Sequence, residues 1–245
     1  MIIMALALAG CANRPNDGDV LSIRDISFDS NNDYENIVYI QEAESYEPYL
    51  VVSKDYKGGV LVLRQHLLDE DICYNDAGAE GALGGYYPDS NADSYLNSIF
   101  FSGLPSGTQK KILNTDIDVS AKESVAAGGG VKKTLNIERK IFLLSATELN
   151  IKSGMAVTEG SPLKYFQKIK SPAATTKNGE AKAQWLRSAY HREDIQAWSI
   201  GANGGYSGCA VLTGLAVRPA FCLDKNEKIN AESNIVKGRE VFVLQ

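Results

Sequence analysis

The sequence predicts an α+β fold of short antiparallel sheets, a few short helices and long irregular loops, and three observations lead to it. The first is a group of apolar runs near the C-terminus: Trp185-Leu186-Arg187-Ser188, Ala197-Trp198-Ser199-Ile200 and Val217-Arg218-Pro219-Ala220-Phe221-Cys222-Leu223. Their aromatic and β-branched content suits short buried strands, and the glycines between the later runs allow tight turns. The second is a hairpin signal, in which Tyr49-Leu50-Val51-Val52 and Val60-Leu61-Val62-Leu63 flank the turn segment Asp55-Tyr56-Lys57-Gly58-Gly59. The third is a scatter of helix starts. Asp89, Ser90 or Asn91 can cap a helix carrying Tyr95, Leu96, Ile99 and Phe100 on one face. Ser145 and Glu148 form a capping box, and Ser161-Pro162 opens a helix with Leu163, Tyr165 and Phe166 behind it.

Taken in order, Met1 to Gly10 is apolar and ends in Leu8-Ala9-Gly10-Cys11, which fits the lipobox of a bacterial lipoprotein signal peptide. Small residues before the cysteine fit a peptidase pocket, and the Cys11 thiol would take the lipid. The polar stretch from Ala12 to Asp19 then serves as a tether, so residues 1–19 are expected to be signal and tether and 20–245 one domain. No Lys or Arg precedes the apolar segment, which favours the other reading, a terminal strand or helix packed on the core. Val20 to Ile40 contributes a strand or two, and Asp69 to Gly85 reads as an acidic, glycine-rich surface loop. A second helix is expected from Ser106 to Leu113, a loop at Ala126 to Gly130, and a buried strand at Ile141 to Leu144. Ser171 to Glu180 reads as a polar link. After Leu223 the polar Asp224 to Asn234 segment leads to a last strand at Val241 to Leu244.

Composition narrows the function. The chain has 245 residues, 44% hydrophobic and 22% charged, which is enough for one large or two small domains. A net charge of −5 argues against a nucleic-acid-binding surface. Cys11, Cys73, Cys209 and Cys222 lack the paired spacing of zinc or redox sites, and Asp69, Glu70, Asp71 and Asp76 lack the calcium-loop register. No metal and no cofactor is therefore expected. Arg187 and Arg218 lie inside apolar runs, where a charge is costly unless paired or hydrogen-bonded. Both are read as structural, the alternative being an arginine that snorkels to water from a strand end.

The ordered set Tyr95-Leu96-Asn97 with Phe100, Ile141 to Ser145 with Glu148, Leu163-Lys164-Tyr165-Phe166, Trp185 to Ser188 and Val217 to Ala220 resembles the domain of unknown function DUF6273. The resemblance covers about Tyr46 to Leu223. Gln184 stands where a second tryptophan is common in that family. The terminal W-x-R-S pattern in turn resembles the C-type-lectin-like core of formylglycine-generating-enzyme-like domains and of retroelement variable proteins. That likeness implies a C-type-lectin-like core with Trp185, Arg187 and Arg218 as its structural residues. It carries no activity, because the paired copper-binding cysteines of those enzymes have no counterparts here.

Templates for catalysis fare poorly. The sequence has no G-x-S-x-G, H-E-x-x-H, P-loop or dinucleotide fingerprint, and nothing in the spacing of His66 or His191 supports a Ser-His or Cys-His pair. A C-type-lectin-like scaffold implies recognition by its loops. The expected surface is Tyr190, His191, Arg192, Trp198, Asn203 and Tyr206, residue types that give large contact area and hydrogen bonding. For Trp198, a place in the core competes with that role. The expectation is a non-catalytic domain binding a protein or glycan, lipid-anchored at the cell surface. The rivals are a virion receptor-binding protein and an enzyme marked by His191, an acid and a thiol in one pocket.

Overall fold

The computed structural model describes residues 21–26, 36–76, 84–126, 131–168, 171–191 and 195–245. Cys11 and the remainder of residues 1–19 lie outside them, as does Arg192. The architecture is α+β, with two main sheets, a ribbon and a few short helices.

The larger sheet has seven strands. Its spatial order is β1 (Leu21–Ser22), β13 (Lys228–Val236), β14 (Arg239–Leu244), β2 (Ile37–Glu42), β3 (Ser45–Tyr56), β4 (Gly59–Arg64) and β12 (Ala220–Leu223). All neighbours are antiparallel except β14 and β2. β3 and β4 form the hairpin that the apolar runs announce. Lys57 and Gly58 hold φ of 50° and 91° across its two-residue turn. Positive φ at both central positions matches the right-handed twist of the flanking strands. β4 and β12 are buried along their whole length. A buried sheet edge must find partners for its free amides. Here β12 obtains them from bridges to Ile112 and Phe142.

The second sheet orders β10 (Tyr206–Ala210), β9 (Gln196–Ile200), β8 (Gln184–Ala189), β11 (Gly214–Ala216) and β5 (Asp71–Cys73). β8 is buried throughout, and β11 runs parallel to it. A separate ribbon of β6 (Thr115–Ser120) and β7 (Thr134–Arg139) packs on β8. In the larger sheet Tyr49 packs against Phe221, with ring centroids 5.1 Å apart, and at the second sheet Tyr74 stands edge-on to Trp185 at 5.2 Å. The Trp185 Nε1–H donates to the Ile72 carbonyl at 2.8 Å, tying β8 to β5 across β11. Gln184 is buried and donates to the Pro172 carbonyl at 3.1 Å.

Several elements differ from the sequence expectation, each for a physical reason. The C-terminal runs, whose composition and glycine turns suggest one compact antiparallel unit, do not make one sheet. Val217 and Arg218 form the crossover by which the chain leaves β11 in one sheet and enters β12 in the other. Ile141 to Leu144 is no regular strand, because the two sheets share it: Phe142 bridges Ala220, while the Leu144 carbonyl accepts from the Arg187 amide.

The first helix begins as expected, with Ser90 accepting from the Asp93 amide ahead of α1 (Asn91–Ser94). It then widens into a π segment (Tyr95–Phe100) before α2 (Phe101–Gly103). A π turn breaks the i, i+3, i+4 spacing. Leu96 is buried as a result, whereas Ile99 is 64% exposed. Three further helices follow, α3 (Ser106–Lys111), α4 (Lys122–Ala126) and α5 (Lys164–Lys168). The expected loop after Asp69 contains β5, and most of the polar segment before the last strand is β13. Cys73, Cys209 and Cys222 are free thiols, and Cys209 and Cys222 stand in different sheets.

Candidate functional site

Two groups of residues carry unusual chemistry: the polar interior around β8 and the aromatic face of the β9–β10 hairpin. The interior group starts from Arg187, fully buried on β8. Its Nη1 and Nη2 each donate to Glu148 at 2.7 Å in a bidentate fork, and its Nε and Nη1 also reach the Asp118 and Leu143 carbonyls. Glu148 also accepts from the Tyr56 hydroxyl and the Ser145 amide, so both its oxygens are satisfied. The capping box is present, since the Glu148 amide donates to Ser145 Oγ at 3.0 Å, but only a turn follows it. Burial alone would lower the Arg187 pKa; the charge of Glu148 outweighs it and holds the guanidinium above its usual value. Gly160 has φ of 80°, and a Cβ there would stand 3.1 Å from Glu148 Oε1. The residue beside the carboxylate must therefore be small.

A second buried carboxylate, Glu159, follows eleven residues along the chain. Glu159 accepts from the Ser120 amide and hydroxyl, both at 2.6 Å, and from the Ser188 hydroxyl at 2.5 Å. Ser120 Oγ is 3.4 Å from His191 Nε2. His191 is thus buried, at 3% exposure, and not the exposed loop residue the sequence suggests. Burial lowers its pKa, partly offset by the Ser124 backbone, although His191 Nδ1 makes no hydrogen bond of ordinary geometry. A serine, a histidine and a carboxylate meet here without a thiol. The carboxylate binds hydroxyls and leaves the imidazole unoriented, and the ring-to-hydroxyl distance is long for a base and its nucleophile.

Burial raises the Glu159 pKa above its usual 4.5, against the opposing charge of Arg187 and the serine hydrogen bonds. A carboxyl whose pKa rises on folding favours the folded state fully below its unfolded pKa, and that contribution is lost as pH rises through the folded value. Glu159→Gln, which cannot ionise, is therefore expected to lose less stability relative to wild type at about pH 8 than at about pH 4. Urea midpoints at the two pH values check this. Equal losses contradict it.

The hairpin group holds most of the residues singled out by type. Tyr190 meets Trp198 edge-on at 4.9 Å, and Trp198 meets Tyr206 at 5.9 Å. Trp198 is interior, 3% exposed, with Nε1 donating to the Met155 carbonyl, so it is a support and not itself a contact residue. Tyr206 is 52% exposed on β10, the edge strand of its sheet. The Tyr190 ring lies across Gly208, where a Cβ would come within 2.6 Å of it. Asn203 spends its Oδ1 on the Gly205 amide and shapes the hairpin loop. Ile195 and Leu212 stand exposed at the opposite end of the hairpin. Only the contact partners in space escape the sequence: nothing in the spacing of Tyr190, Trp198 and Tyr206 announces a stack, although strand alternation could have placed Trp198 and Tyr206 on one face.

Among the described residues no group of three or more His, Cys, Asp or Glu is placed to hold a metal ion, and no helix is long and apolar enough to cross a membrane. No curated protein and no solved structure matches the chain. The family model described as "Domain of unknown function (DUF6273)" matches residues 57–225. That span runs from the β3–β4 turn to just beyond β12, and it contains the Arg187–Glu148 pair, the Glu159 cluster and the aromatic hairpin. By that match over most of its length, the chain belongs to the DUF6273 family.

Proposed function

We propose that this protein is a recognition domain held at the outer surface of a bacterial cell by a lipid on Cys11, and that the β9–β10 hairpin contacts a protein or glycan ligand. The observation that carries the reading is Tyr206, half exposed on an edge strand yet backed by the buried Trp198. A rigid aromatic with a packed support brings contact area at low entropic cost. The proposal reads the two-sheet core with its hairpin overhang as a C-type-lectin-like arrangement, in which a stiff core positions binding loops. The Ser120, His191 and Glu159 cluster favours recognition over catalysis, because its carboxylate serves hydroxyls and all three side chains are buried.

Two measurements test the proposal. A fatty-acid analogue is expected to label the full chain and not Cys11→Ser; no label in either protein removes the anchor and leaves the virion reading. Panning the 20–245 domain against a displayed peptide library and a glycan array is expected to enrich one of them. Tyr206→Ala, whose side chain faces solvent, is then expected to weaken the selected ligand by roughly tenfold or more. Unchanged binding by a folded Tyr206→Ala protein refutes the hairpin as the contact face.

A further inference from the structure

Three arginines are buried in the described residues, and they are not alike. Arg187 is neutralised by Glu148, and Arg64 by Glu42 at 2.9 Å with Glu47 at 3.5 Å. Arg218, 9% exposed, has no carboxylate within ion-pair distance among the described residues. Its hydrogen bonds go to backbone carbonyls: Nε to Arg64 at 2.8 Å, Nη2 to Gln65 at 3.1 Å and Nη1 to Pro172 at 3.3 Å. A guanidinium has five N–H donors. Three are used, which leaves one on each terminal nitrogen. Burial, with no compensating carboxylate and with Arg64 nearby, pulls the Arg218 pKa down to about 10, Tyr165 opposing.

Arg218 is one of the residues that line a cavity of about 380 Å³. His66 stands beside it, and Leu50, Phe166, Ala174 and Ala202 supply apolar surface; among the described residues no Asp or Glu lines the space. The Nδ1 of His66 is buried without a hydrogen bond of ordinary geometry, and burial together with the Arg64 charge lowers its pKa, partly offset by Glu47 and the Thr175 backbone. The rim includes the β9–β10 loop, where Gly204 packs on Ser171 so closely that a Cβ would meet the hydroxyl at 2.1 Å.

We infer that this cavity is a binding site for an organic carboxylate with a small apolar or aromatic body, and that the ligand supplies the counter-ion Arg218 lacks. Two N–H groups on adjacent terminal nitrogens match the two oxygens of a carboxylate. The apolar walls take the body of the molecule, and the volume lies at the lower end for ligand pockets. A buried cation left without a partner is costly, and its two counterparts among the described residues are both paired internally. A free acid and the terminus of a peptide both carry this carboxylate and share this chemistry. The cavity shares the β9–β10 loop with the hairpin, but its polar groups, Arg218 and His66, lie outside the hairpin.

The test uses the folded 20–245 domain, with the Arg218 Nε–H resonance followed by NMR and affinity by calorimetry. Benzoate and the tripeptide acetyl-Ala-Ala-Phe with a free carboxylate are expected to shift that resonance, with Kd in the millimolar range or below. Benzamide and the amidated tripeptide are expected to leave it in place. Tighter binding of the peptide acid identifies a chain terminus; tighter binding of benzoate identifies a free acid. Arg218→Gln is expected to weaken binding roughly thirtyfold or more. Because that change also removes three carbonyl contacts, Ala174→Glu provides an independent arm: its carboxylate, placed in the cavity, is expected to abolish the benzoate response and raise the melting temperature. Leu212→Ser, exposed at the end of the hairpin away from its loop, is expected to bind both acids as wild type does. The inference is overturned if neither acid moves the resonance at about 20 mM, if the amides act equally, if phosphate binds where the acids do not, or if Ala174→Glu responds like wild type.

Discussion

Arg187→Ala is expected to destabilise the domain by about 3–5 kcal/mol, because it leaves Glu148 as a buried, uncompensated carboxylate. That is a large share of the roughly 5–15 kcal/mol by which a domain of ordinary stability is held folded. The loss is expected whether the change is made at the arginine or at its partner, since both side chains are inaccessible and each supplies the other's main counter-charge. Replacing both, as in Arg187→Met with Glu148→Leu, is expected to recover more than half of it. A matched apolar pair avoids burying any charge, although the Tyr56 hydroxyl and the Asp118 and Leu143 carbonyls lose their partners. Urea denaturation followed by circular dichroism measures all three proteins. A single-variant loss below about 1 kcal/mol, in the range of an exposed ion pair, would falsify the burial of this charge.

Trp185→Ala is the second large effect, expected at about 3–5 kcal/mol. Trp185 is 1% exposed, and its removal opens a void beside Tyr74 while leaving the Ile72 carbonyl without its donor. Trp185→Phe separates the two contributions, because it keeps most of the ring packing and loses the hydrogen bond. It is expected to cost about 1–2 kcal/mol. The same variant reports on geometry: β5 is joined to β8 through β11 and this indole, with the Tyr74 hydroxyl bonding Arg187 just beyond the strand, so amide exchange in Asp71 to Cys73 is expected to quicken before the rest of the sheet. Uniform quickening across the sheet would show that Trp185 supports the whole core and not that link.

Particular residues show what could be read from the chain. The β3–β4 hairpin is legible because its turn needs positive φ and offers Lys57-Gly58-Gly59 between two β-branched runs. Ser90 and the Ser145–Glu148 box are legible because caps act over three residues. Arg187 is legible as a charge in need of a partner, but its partner is not, since Glu148 lies 39 positions away and already has a local role as a cap. His191 reads as an exposed loop residue because its neighbours are polar, yet the fold buries it beside Ser120 at the end of β6 and against the Met155 carbonyl. Ile99 fails in the opposite sense: its spacing promises a helical face that the π turn rotates into solvent.

What the sequence by itself determined were features that act over a few residues: the apolar alternation of the strands, the hairpin turn, the caps, and the presence of arginines that water could not serve. What only the tertiary structure decided was which charges meet. Val217 and Arg218 belong to a run that reads as one strand, yet the chain changes sheets there. That crossing carries Arg218 away from every described carboxylate and into the wall of a cavity. Local preferences are set by dihedral angles and nearest amides, whereas neutralisation depends on distances between elements far apart in the chain, and those exist only after both sheets have closed on a common core.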